Sequence, residues 1–266
     1  MKEIPLPDGV KPLDIFVGSI AKERQTEAIP GRNGVVDYGT NYTERSVDLS
    51  MWIVSGDTID YRLLRNELYA LFDTGNAFYI AESNVPSRVL KVAVDESYIP
   101  ERITRIHASV EISCRTLDSV FWESIYTTLE LHDSGYSATA EKYGLVDNID
   151  DEKVNYRFTE SNFTVYNAGN VTVEPEFMSL EIYIRLVTSD GDFTIKNDTT
   201  GEEFKYYRTI NGRNLRLNGV DFREGTINGF RDTNRTFIRL VPGINRFTIS
   251  GATFEEARFN FKYYYK

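Results

Sequence analysis

Few residues in this chain are of types that do covalent or acid–base chemistry, and their surroundings argue against most of it. There are two histidines and one cysteine in 266 residues. His107 falls on the polar side of an alternating run, and His132 sits in the loop-like Leu131-His132-Asp133, so both read as surface histidines. Cys114 lies on the apolar side of Ala108, Val110, Ile112, Cys114, where it reads as a small buried hydrophobe; alone, it cannot form an internal disulfide. H-E-x-x-H, G-x-S-x-G, G-x-x-x-x-G-K-[ST] and G-x-G-x-x-G are all absent. Forty acidic residues supply many carboxylate pairs of the kind glycoside hydrolysis needs, and that abundance leaves no pair to choose. The run Asp147-Asn148-Ile149-Asp150-Asp151-Glu152 clusters the hard oxygen ligands calcium prefers, yet it lacks the Gly and the terminal Glu spacing of an EF-hand loop and reads as a solvated linker. No catalytic residue, metal or cofactor is expected. What remains is binding chemistry. Arg32 and Arg45 could pair with carboxylates across a subunit contact, and Trp52, on the polar side of its strand, is placed to pack under a helix, to meet a subunit or, less favoured, to stack on a sugar.

The elements that must position these residues are mostly strands. Val47, Leu49, Met51 and Ile53 alternate with Ser46, Asp48, Ser50 and Trp52, predicting a strand over residues 45–54 with one face inward. One strong helix follows at 58–72: Leu64, Leu68, Leu71 and Phe72 form its apolar stripe, Asp57 or Thr58 can cap it, and Gly75 can stop it. Residues 89–95 and 108–116 alternate again, on either side of Pro100. Residues 22–44 read as a long, polar, Gly-punctuated loop. Composition shifts at about 123–155. Beyond it short apolar runs recur between turn pairs such as Asp190-Gly191, Asn211-Gly212, Asn218-Gly219 and Pro242-Gly243, the spacing of a β-sandwich or jelly roll. The expected fold is mainly β, with an N-terminal β-sandwich covered by one helix (α+β character) over residues 1–125 and a C-terminal β-sandwich over 126–266 that opens with a linker-like stretch at about 126–155.

The formal net charge of −10 gives a field that repels a phosphate backbone, so nucleic acid is not expected as a bound ligand. Lys2, Glu3, Asp8 and Lys11 interrupt the start of the chain, no run approaches the ~18 apolar residues a bilayer crossing needs, and a cytoplasmic origin with no membrane partner is expected.

Several segments, in order, resemble siphophage distal tail proteins. Pro30-Gly31-Arg32-Asn33-Gly34-Val35-Val36-Asp37-Tyr38-Gly39, then Tyr42, Arg45 and the alternating strand, resemble that family's N-terminal domain, as do the helix with Leu64, Leu68 and Leu71 and the closing Cys114-Arg115-Thr116-Leu117-Asp118-Ser119-Val120-Phe121-Trp122. In the second half Asn167-Ala168-Gly169-Asn170-Val171-Thr172-Val173-Glu174-Pro175, Thr199-Thr200-Gly201-Glu202 and Leu240-Val241-Pro242-Gly243-Ile244-Asn245 are similar to landmarks of its C-terminal sandwich. Ser119-Val120 departs from the pattern, where a Pro would be expected before the aromatic pair.

The resemblance implies a virion protein made in the host cytoplasm: a homo-oligomeric, hexameric ring at the tail tip or baseplate, with galectin-like C-terminal sandwiches projecting outward. It would be a non-enzymatic hub between the major tail (tube) protein, the tail-associated lysin or fibre protein and, in some phages, a receptor-binding protein, with DNA only in transit. Gly31, Arg32, Gly34, Tyr42, Arg45 and Trp52 are the candidate subunit-interface residues. The competing readings are a carbohydrate-binding sandwich protein for host cell-wall glycans and a tail-tip glycoside hydrolase.

Overall fold

The computed structural model describes residues 4–143 and 149–266 of the chain. Its contacts divide it into two units, one of residues 1–82 with 90–120 and one of residues 83–89 with 121–266. The division after Val120 lies a few residues before the boundary expected at 125/126.

The first unit contains β1 (Val10–Val17), β2 (Lys22–Glu27), β3 (Val36–Tyr42), β4 (Ser46–Val54), α1 (Thr58–Phe72), β5 (Phe78–Glu82), the second half of β6 (Val85–Val94), β7 (Glu101–Arg102) and β8 (His107–Thr116). Its sheet runs β1-β4-β8-β6, antiparallel throughout. The alternation read in the sequence sets the register: Val47 opposes Cys114, Leu49 Ile112, Met51 Val110 and Ile53 Ala108, and all eight are buried. A slip of either strand by one residue would turn its four to water. Helix α1 begins where Asp57 Oδ1 accepts the amides of Ile59 (2.7 Å) and Asp60 (2.9 Å), while Asp60 Oδ2 reaches back to the Gly56 amide (2.6 Å). Those backbone donors, chiefly Asp60's, hold the Asp57 carboxyl below its ordinary pKa. Tyr61, Leu64 and Leu68 are the buried face of the helix.

Two segments differ from expectation. Residues 22–44 are not a loop: β2 and β3 form a two-stranded antiparallel ribbon. Residues 126–135 are not a linker. After β9 (Trp122–Ser124) the chain enters α2 (Thr128–Tyr143, kinked at Gly135), and Tyr126, Thr128 and Leu131 are buried. Thr128 Oγ1 donates to the Phe259 carbonyl and accepts from the Phe261 amide, both at 3.0 Å, so a strand remote in sequence gives this weakly patterned segment its place. Of the acidic run, Asp147 and Asn148 lie outside the described residues; farther along it, Asp150, just before a short turn of 3₁₀ helix (Asp151–Lys153), pairs with Lys153.

The second unit is a sandwich. One sheet has the order β10 (Arg157–Phe158), β19 (Glu256–Phe261), β12 (Leu180–Asp190), β15 (Thr209–Asn218), β16 (Asp221–Glu224), β17 (Ile227–Asn228). The other runs β11 (Asn162–Asn167), β18 (Gly243–Ser250), β13 (Phe193–Asn197), β14 (Glu202–Tyr206). Between them Phe158, Phe163, Phe247 and Phe259 pack ring on ring, with centroids 4.2 to 6.1 Å apart. Each fully buried Phe contributes about 2–3 kcal/mol of apolar burial. A last strand, β20 (Tyr264–Tyr265), pairs with β9.

Buried asparagines stitch the loops of this sandwich. Asn167 Nδ2 donates to the Val171 (3.0 Å) and Leu240 (3.1 Å) carbonyls, and its Oδ1 accepts from the Gly169 amide. Gly169 must stay a glycine, because a Cβ there would lie 2.5 Å from the Tyr264 carbonyl oxygen. Asn245 exchanges bonds with both backbone groups of Val241, and Asn197 Nδ2 donates to Asn245 Oδ1 and the Arg239 carbonyl. The Asn-x-Gly and Pro-Gly-x-Asn signatures of the sequence are therefore structural fastenings.

Candidate assembly surface

The β2–β3 ribbon has no packed side. Every residue of β2 is exposed, and of β3 only Val36 is even half-buried. A lone hairpin is marginal in water, and this one is braced by polar contacts: Arg24 Nη2 pairs with Asp37 at 2.9 Å and Tyr38 Oη donates to Glu27 at 2.9 Å. The Gly39 amide, foremost, and the Arg24 guanidinium hold the Asp37 carboxyl below its ordinary pKa. At the tip the Arg32 amide donates to the Ile29 carbonyl (3.1 Å), and Gly31 and Gly34 take φ of +84° and +87°, which other residues adopt only under strain. Arg32 is the only charged residue between Glu27 and Asp37. It is exposed, and its guanidinium bonds to nothing among the described residues. Ile29, Val35 and Tyr38 are exposed beside it.

The six residues expected at a subunit contact fall in three places. Gly31, Arg32 and Gly34 share the ribbon tip. Tyr42 ends β3 near its root, with the Lys22 ammonium 5.9 Å from its ring centre. Arg45 turns inward instead of outward: Nε donates to the Gly18 carbonyl at 2.6 Å and Nη1 to that of Val120 at 3.5 Å, and burial lowers its pKa. It clamps the root of the ribbon, where Gly18 and Ala21 also bond to Ser46 and Glu44. Trp52 is half-buried on the face of β4 opposite the buried row, its ring centre 5.9 Å from that of His107.

Two features had no sequence signal. Strand β1 lies at the sheet edge and exposes Leu13 and Phe16; Pro12, at a register shift, masks its alternation. A cavity of about 450 Å³ lies where the C-terminus of α1 meets residues 93–98.

Cys114 is buried, and that burial raises its thiol to about 12, where it stays protonated. Among the described residues no group of His, Cys, Asp and Glu is placed to hold a metal, and no helix is long and apolar enough to cross a membrane. A shallow depression over Tyr183 has the residue types of a sugar site, but Glu181 is paired with Arg216 (2.7 Å), Arg258 with Glu256, and Asn260 Oδ1 with the Leu129 amide.

Residues 7–114 match the family described as phage tail protein RIFT-related domain. No curated protein matches the sequence. Among solved structures the chain is similar to the Dit protein of phage SPP1, described as a paradigm of the hub adsorption apparatus in phages infecting Gram-positive bacteria: 14% identity over 97% of this chain and 95% of that one, TM-score 0.67. A chain of the phage p2 baseplate in its activated conformation aligns over 96% of this chain and 90% of its own at 9% identity, with a TM-score of 0.41. Residues 7–114, which hold the β-ribbon and the helix-bearing sheet, thus match a phage tail domain, and the chain as a whole shares the mainly β fold of the SPP1 Dit protein.

Proposed function

We propose that the chain is a non-enzymatic hub of the phage tail tip, in which copies close into a ring by laying the β2–β3 ribbon of one subunit on the next. The observation that carries this reading is the ribbon itself: 13 strand residues held in register with nothing packed on either face. A cyclic assembly needs a heterologous contact that closes after a fixed rotation, and a projecting arm rooted by Arg45 supplies one. Six copies is the expected number, from the resemblance to distal tail proteins, with the ring built by about residues 1–125 and the sandwich of about 126–266 facing outward. Its neighbours would be the tail tube protein, the lysin or fibre protein and, as in some phages, a receptor-binding protein, in a virion whose components are made in the host cytoplasm. The net negative charge suits a conduit that DNA passes without sticking. Solution mass by light scattering tests the reading. A species of six times the 30.5 kDa chain mass is expected, along with monomer when residues 28–35 are replaced by a two-residue turn. An oligomer that survives loss of the tip would overturn the arm.

A further inference from the structure

The cavity at the end of α1 has walls suited to a guanidinium. Tyr69, Phe72 and Tyr98 supply aromatic surface, with Tyr69 and Tyr98 edge to face at 5.4 Å, and Asp73, Asp95 and Glu96 supply carboxylates. Asp95 is paired with Arg115. Neither Asp73 nor Glu96 has a hydrogen-bond or ion-pair partner for its side chain among the described residues. Asp73 is also the C-cap of α1, whose last turn carries no basic residue. The negative end of the helix dipole and a carboxylate therefore coincide, an unfavourable placement unless a cation from elsewhere offsets it. The Arg65 guanidinium lies 5.8 Å from the Tyr69 ring centre, and the remaining aromatic surface, the carboxylates and the helix end suit a further group of the same kind: a planar cation that stacks and donates in two directions.

This chain carries such a group on an element with nothing to pack against. Resting on the ring reading above, we propose that Arg32, at the ribbon tip of one subunit, inserts into the α1-end cavity of the next copy, its guanidinium against Tyr69 and Tyr98 and its donors on Asp73 and Glu96. The match is one of charge, since the tip carries a single positive charge and the cavity an excess of negative charge. It is also one of apolar area, with Ile29 and Val35 flanking Arg32 as the rings flank the carboxylates. The contact joins unlike surfaces, as ring closure requires.

A charge swap in the full-length chain tests it. Arg32→Glu alone and Glu96→Lys alone should each raise the concentration at which the oligomer dissociates, by about tenfold or more. The double variant should recover most of that loss, and raising salt should weaken the wild type more than the double-apolar control Arg32→Leu/Glu96→Leu. Circular dichroism of each variant checks that the monomer is folded. If Arg32→Glu dissociates the oligomer while Glu96→Lys does not, and the double is no better than Arg32→Glu, the arm stands but docks elsewhere, and the cavity belongs to another tail protein. If Arg32→Glu leaves the mass unchanged, this contact falls, and the arm falls with it only if the oligomer also survives loss of residues 28–35.

Discussion

The ribbon at residues 22–42 and the sandwich of the second unit are both antiparallel β structure, yet they rest on opposite physics. In the sandwich, side chains decide: Phe158, Phe163, Phe247 and Phe259 exclude water between the sheets, and every polar group of Asn167 and Asn245 is committed inside. In the ribbon the backbone ladder and a few exposed contacts decide, and removing a side chain there removes almost no burial. One region is an end in itself; the other, on the proposed reading, is half of a contact.

The sharpest way to break the contrast is Phe259→Ala, which should destabilise the second unit by about 3–5 kcal/mol in denaturant unfolding; a loss under about 1 kcal/mol would mean the sandwich core is not where its stability lies. Asn167→Ala should follow at about 2 kcal/mol or more, because it strands the buried Val171 carbonyl and the Gly169 amide. Acid should reach the ribbon while leaving the aromatic core untouched. The Asp37 carboxyl has a lowered folded pKa, so its bracing is fully present above the ordinary carboxylate value of about 3.9 and is lost only as pH falls through the lower folded value. The Gly39 amide resonance, followed by NMR, should therefore titrate below that value; a midpoint above it would contradict the clamp. Least of all, Tyr38→Ala should leave monomer stability within about 0.5 kcal/mol, and a large loss would show that the ribbon packs on its own subunit.

Legibility in the sequence followed the same divide. Helix α1 and strands β4 and β8 were readable because burial imprints a period, 3.6 for Leu64 and Leu68 and 2 for Val47 through Ile53. The ribbon left no imprint: Lys22-Glu23-Arg24-Gln25-Thr26-Glu27 has nothing to alternate, and only pairing with Val36–Tyr42 makes it a strand. Strand β1 was hidden by Pro12, and α2 is held through Thr128 by Phe259 and Phe261, more than a hundred residues away. Of the candidate contact residues, the glycine-bounded tip around Arg32 was legible. The inward turn of Arg45 was not, since its acceptors are the backbone carbonyls of Gly18 and Val120. Nor was the cavity, which exists only where residues 69–76 meet 93–98.

The pairing of β9 with β20 also sets a clock. The Tyr263 amide donates to Ser124 Oγ across 139 residues, and the first turn of α2 waits equally long for Phe259 and Phe261. At a synthesis rate of about 5–20 residues per second, residues 122–131 spend on the order of ten seconds on the ribosome before their partners exist. Contacts of such sequence separation are slow to form even afterwards. The first unit can be folded, its arm extended, while the sandwich still exposes an unpaired edge. A nascent chain is thus able to meet a neighbour before it has finished hiding its own aromatic core, and chaperones that shield residues 122–131 during that interval should raise the yield of correctly closed protein.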